Sequence, residues 1–277
     1  MILGLPLIHG GAARQALERN YPGRMLAQRR YRGVRAGVWG PRLAGSSASL
    51  PIVTSSQQGL ENALSLERFT RYVKWAGGDR ARALELYSLN TKLSEALYTP
   101  LQGLELALRN RIHTVMSASH SPYWFQDSSV MCLQKQQKQV EQAFDDLVRQ
   151  KKQPTPGGVV AALTFSFWTS MLAREYEELW RRTLHAIATK QNGANLERKD
   201  FARPLTQIRL LRNRVAHHEP ILYWRLPHWH REMLTLTSWL SPSVAGWCHS
   251  VERFTAVYPK KGYRLCEDGR ESLATAS

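Results

Sequence analysis

The stretch Arg209-Leu210-Leu211-Arg212-Asn213-Arg214-Val215-Ala216-His217-His218-Glu219-Pro220 begins with a helical apolar pattern and stops at a proline. It holds three guanidiniums, an amide, two imidazoles and a carboxylate. At about 100° per residue, Asn213 and His217 share a helix face one turn apart, whereas Arg212 and His217 diverge by roughly 140° and flank a groove. Both histidines fall in the last turn, where the helix dipole favours a cationic imidazole. Pro220 disfavours helical geometry at Glu219, so the helix is predicted to end there with its imidazoles near solvent.

Outward from this stretch the periodicity is helical almost throughout. Leu66, Phe69, Tyr72, Val73 and Trp75 form one stripe, Gly77-Gly78 ends it, and Asp79 can cap the next helix. Leu86, Leu89, Leu93 and Leu97 form that helix's stripe. Thr99-Pro100 reads as the N-cap and first-turn proline of a further helix with Leu101, Leu104, Leu108, Ile112 and Val115 inward. A polar helix over 131–152 turns Val140, Phe144, Leu147 and Val148 inward, after an aromatic turn at 121–125. Residues 159–173 are apolar all round and predict one buried central helix, followed by another over 175–189. Trp168 and Trp180 belong to these stripes as core. Asp200 is a candidate cap for the motif helix, with regular helix from Pro204. Two helices come next near 228–241 and 243–256, with no strand alternation of useful length and no solenoid repeat. The expected fold is all-α.

The chain has 277 residues and 43% apolar side chains, enough for a substantial core. Its formal charge of +16 points to a polyanionic partner, nucleic acid before membrane surface. Residues 1–57 carry eight arginines against Glu18 alone, and they read as a disordered basic arm or an overlong gene start. Residues 58–258 read as the folded domain, with a net charge of +8, and 259–277 as a short flexible tail. No apolar run reaches the ~18–20 residues of a membrane span. Cys132, Cys248 and Cys266 form no paired motif, so neither a disulfide framework nor a zinc site is implied and a reducing, cytoplasmic setting is the default. His228-Trp229-His230 reads as amphipathic surface rather than a metal pair.

Arg212-Asn213 and His217, followed by His218-Glu219-Pro220, resemble the Abi-like (abortive infection) proteins of the HEPN ribonuclease superfamily. The run Ile208 to Ile221 carries the resemblance. So do Leu104-Glu105 through Arg109-Asn110, Leu163-Thr164-Phe165-Ser166-Phe167-Trp168, and Tyr176 with Trp180. The resemblance implies a HEPN-like helical bundle with additional helices and a metal-independent, cofactor-free endoribonuclease that leaves a 2′,3′-cyclic phosphate. It implies Arg212, Asn213 and His217 as the catalytic motif and a toxin-like role in phage defence. It also implies a composite cleft between two copies of the chain in a homodimer; control by an antitoxin protein, a small RNA or phage sensing is compatible with it. The alternative within the same fold is a non-catalytic RNA-binding or regulatory module; a nucleotide- or protein-modifying activity is a further one.

The residue types suit that chemistry. Attack by a ribose 2′-hydroxyl needs a proton acceptor, a donor for the leaving 5′-oxygen, and a cation for the phosphate. Imidazole, with an intrinsic pKa of ~6.5, moves protons near neutrality. Guanidinium stays charged and fits phosphate oxygens. The amide of Asn213 can orient the imidazole or donate to phosphate. A 2′-hydroxyl requirement excludes DNA as substrate. Arg209, Arg214, His218 and Glu219 are auxiliary or RNA-binding candidates, and His218 and Glu219 can equally cap the helix end. A second cluster comprises Glu105, Arg109, Asn110, Arg111 and His113, in which Arg109-Asn110 and His113 echo the main motif with the histidine one residue nearer. Glu105 and Arg109 are four apart, which suits a helix ion pair, or one of them braces Arg212 or His217. Trp224 and Trp229 are candidates for stacking bases.

Overall fold

The computed structural model describes residues 66–260 except 191 and 195, together with 59, 63–64, 264–265 and 271–272. The basic arm expected over 1–57 lies outside these residues. Within them the all-α expectation holds, with one short strand pair near the C-terminus as the exception. The first helix, α1 (Leu66–Trp75), buries Phe69, Tyr72 and Trp75. It ends at Gly77 and Gly78, both with positive φ, where glycine is favoured because a side chain would clash.

The second helix, α2 (Arg80–Ser119), runs 40 residues, about 60 Å at 1.5 Å per residue. Asp79 caps it by accepting the Arg82 N–H at 3.1 Å. The expected break at Thr99-Pro100 does not occur, and one helix runs through the proline. Proline deprives the Ala96 carbonyl of its helical donor, yet packing outweighs this loss. Leu93, Leu97, Leu104, Leu108, Ile112 and Met116 form one continuous buried stripe across Pro100. The backbone of Gly103 is approached so closely by Cys248 that a Cβ there would lie 2.3 Å from its Sγ.

Around α2 the shorter helices assemble. After a buried turn at Trp124–Gln126 comes α3 (Gln134–Arg149). Val148, expected inward, is 61% exposed, and Gln136 and Ala143 are buried instead with Val140 and Leu147. The single helix expected over 159–173 is two: α4 (Pro156–Ala162) and α5 (Phe165–Ser170). Leu163 and Thr164 between them are extended. Phe165, Phe167 and Trp168 of α5 are all buried in the core, as are Val159, Val160 and Leu163 before it. There Gln136 donates to the Phe167 carbonyl (3.1 Å) and Tyr176 donates to Gln136 Oε1 (2.6 Å), a satisfied buried network. The helix expected over 175–189 is likewise divided, with α6 (Glu177–Arg182) flanked by 3-10 turns at Arg174–Tyr176 and Leu184–Ile187.

The motif helix α7 (Arg198–Ala216) starts a full turn before Pro204. Glu197 is its N-cap, and Asp200 completes a capping box by accepting the Glu197 N–H. Phe201, Leu205, Ile208 and Leu211 bury one face, which rests on α5 and on α8 (Leu226–Leu240). α8, α9 (Pro242–Val251) and α10 (Phe254–Val257) pack on α2. Residues 259–277, expected to be a tail, do not all hang free. Leu265 is 1% exposed, its N–H donates to the Leu222 carbonyl, and Arg264–Leu265 pairs antiparallel with Glu271–Ser272. Among the described residues no helix is long and apolar enough to cross a membrane.

Candidate active site at the end of α7

The last turn of α7 is closed by backbone bonds rather than by proline alone. His217 N–H reaches the Asn213 carbonyl, His218 N–H the Val215 carbonyl at 3.2 Å, and Glu219 N–H the Arg214 carbonyl at 2.8 Å. The last two are the paired bonds of a Schellman ending, which needs one residue in the left-handed region, usually glycine. Here His218 fills that position with φ of 57°. Histidine is among the side chains better tolerated there, at a cost of order 1–2 kcal/mol. An apolar contact commonly closes this ending. Arg214 and Glu219 take its place as an ion pair at 3.0 Å.

Two distant elements hold the turn. The guanidiniums of Arg214 and Arg71 lie 5.3 and 5.6 Å from the ring of Tyr223. Asn90, buried about three turns into α2, accepts the Ile221 N–H at 2.7 Å and donates to the Glu219 carbonyl at 3.4 Å. Asn90 carries no signal in the sequence: its partners are 131 and 129 residues away.

Arg212 and Glu105 form an ion pair at 3.7 Å, with the carboxylate the more buried of the two. Burial pushes the Glu105 carboxyl above its ordinary value, and the charges of Arg212 and Arg109 pull it back. Of the two roles open to Glu105, the structure joins it to the motif arginine. Arg109 has a buried Nε with no hydrogen-bond partner, and Asn110 is exposed. Neighbouring His113 takes a structural part instead: its Nδ1 accepts the Trp124 indole N–H at 3.1 Å, and burial lowers its pKa.

His217 and His218 are exposed and Asn213 is half-buried. Lys199, Arg203, Thr206, Leu210, Asn213 and His217 come at alternating spacings of four and three, on the side of α7 opposite its core face. Arg209 lines a cavity of about 1070 Å³ beside the first three turns of α7, and His218 lines another of about 710 Å³ against α2, with Tyr98 and Val251. Arg212 and His217 line neither, and no contact joins them within one copy. Of the two stacking candidates, Trp229 borders the larger cavity. Trp224 is half-buried against the core with its Nε1 sealed inside, and it borders neither cavity. Among the described residues no three His, Cys, Asp or Glu side chains converge as a metal-binding group.

Neither the curated proteins nor the solved structures yield a match to this chain. The family model for Abi-like proteins matches residues 64–223, more than half of the chain, from the start of α1 through the clamped turn after α7. With that span matched, the chain belongs to the Abi-like protein family.

Proposed function

We propose that this protein is a metal-independent endoribonuclease of the HEPN type, acting in abortive infection. The observation that carries the reading is the end of α7, where an exposed imidazole and a neighbouring amide stand one turn apart beside an arginine held by a carboxylate from another helix. In this reading His217 moves the proton between the ribose 2′-hydroxyl, the leaving 5′-oxygen and solvent. The 2′-oxygen bonds to phosphorus, the P–O5′ bond breaks, and the products are a 2′,3′-cyclic phosphate and a 5′-hydroxyl. Arg212 offsets the charge gathering on the phosphate oxygens. Asn213 orients the imidazole or the phosphate. Glu105 is a positioning residue, fixing the guanidinium of Arg212 by charge. Because Arg212 and His217 diverge on the helix, the full set converges on one phosphate only when two copies face each other, which supports a two-fold homodimer.

The same divergence favours one other reading, an RNA-binding module without cleavage. Incubation of the intact chain in chelator with an end-labelled RNA and its all-deoxy counterpart separates the two. The endoribonuclease cuts only the RNA and leaves cyclic phosphate termini, read by mass spectrometry. Binding without cleavage selects the module, and cleavage abolished by chelator contradicts the mechanism.

A further inference from the structure

The larger cavity is not explained by the motif. Three segments border it: residues 169–174, the first three turns of α7, and the start of α8. Several of its charged groups are already committed. Arg198 is bonded to Glu177 and to the Leu172 carbonyl, Lys199 pairs with Glu197, and Asp200 pairs with Lys190. Arg174, Arg203 and Arg209 have no acidic partner among the described residues, and Glu232 is the one uncommitted carboxylate on the lining. Three guanidiniums against one carboxylate leave a positive field over a space large enough for several phosphate groups. Arg203 also belongs to the outward stripe that ends on His217, fourteen residues or about 21 Å further along the axis.

We propose that this cavity is a phosphate-backbone subsite for single-stranded RNA, remote from the scissile linkage, which sets affinity and leaves the chemistry to the end of α7. The inference rests on the ribonuclease reading and deepens it. Guanidinium forks suit phosphate oxygens in pairs, and the half-buried ring of Trp229 on the rim gives a base a surface to stack on. An acidic protein segment would use the same charges but has no use for the path toward His217.

The test uses a fluorescent, single-stranded 2′-O-methyl oligouridine, which cannot be cut by 2′-hydroxyl attack, titrated with the full chain over a range of salt. Combined Arg174→Gln, Arg203→Gln and Arg209→Gln should weaken binding about 10- to 100-fold. The same variant should lower the slope of log affinity against log salt by about 2, from ~0.7 per lost contact. The three Arg→Lys replacements should retain most of that slope, which a folding defect would not allow. With unmodified RNA the Gln variant should raise KM by about the factor lost in affinity. Unchanged affinity and slope in a variant whose parent binds and cuts RNA overturns the subsite and spares the ribonuclease reading. Failure of the parent to bind RNA overturns both. Displacement of the probe by polyglutamate as readily as by RNA of equal charge assigns the groove to acidic protein and overturns the proposal.

Discussion

Two helices of this protein carry nearly the same set of side chains and put it to different use. On α2, Arg109, Asn110 and His113 sit in the body of a 40-residue helix; on α7, Arg212, Asn213 and His217 sit at its end. The α2 imidazole is occupied by an indole N–H from Trp124, and adjacent Arg111 spends its guanidinium on the carbonyls of Ile187 and Ala186. The α7 imidazole is exposed, on a turn whose shape is fixed by Asn90, Arg214 and Tyr223 rather than by its own side chain. Position along the helix, not residue type, decides which set is free to meet a ligand. Glu105 links the two, rooted on α2 and paired with Arg212 on α7.

The comparison breaks most visibly at the arginine. Arg212→Ala should lower RNA cleavage by ~10²–10³, the loss typical of one preorganised donor to a developing anion. Glu105→Gln, which keeps an acceptor for the guanidinium and removes its charge, should lower kcat on the order of 10-fold and leave KM for RNA little changed. Equal kcat would reduce Glu105 to an ordinary ion-pair partner. Next in size is the clamp. Asn90→Ala strips the buried Ile221 N–H of its acceptor and should cost about 1–3 kcal/mol in denaturant unfolding, with faster amide exchange at Ile221.

His218→Gly should act the other way. It relieves the left-handed strain and, after the larger unfolded-state entropy of glycine, should stabilise by about 0.5–1 kcal/mol. A histidine kept there against that gradient is an indication of use, so cleavage should be measured in the same variant. The smallest effect is on pH dependence and belongs to α2. Burial holds the folded pKa of His113 below its ordinary 6.5. Below about pH 6.5 the unfolded chain therefore binds more protons than the folded one, and stability falls as pH drops from there through the lowered folded value. His113→Gln, which still offers Trp124 an acceptor, should flatten that fall in urea midpoints measured across the window.

Much of this arrangement is legible in the residues alone, and the exceptions have physical causes. The helical stripes through Leu86–Leu97 and Leu101–Ile112 are plain, but Pro100 reads as a start because local rules know nothing of Gly103 and Cys248 pressing together. Pro204 misleads in the same way, and the capping box at Glu197 and Asp200 begins the helix earlier. The apolar run at 159–173 conceals the extended pair Leu163-Thr164, since an all-apolar pattern reads the same whether the buried helix is continuous or broken. At the site, the exposed end of α7 is readable from spacing, whereas the spacing of Glu105 suits Arg109 and leaves its reach to Arg212 open. The left-handed His218 and the Asn90 clamp are not readable, because both depend on chain segments far apart in sequence.

The central claim is that the exposed imidazole of His217 transfers the proton in RNA cleavage. Its most direct measurement is the single-turnover cleavage rate of a labelled RNA by the intact chain and by His217→Ala, in chelator, with unfolding midpoint and RNA affinity measured on both. The account predicts a loss of ~10²–10⁴ in rate, the usual range for a general acid–base group, with midpoint and affinity unchanged. Equal rates in the two proteins would contradict it.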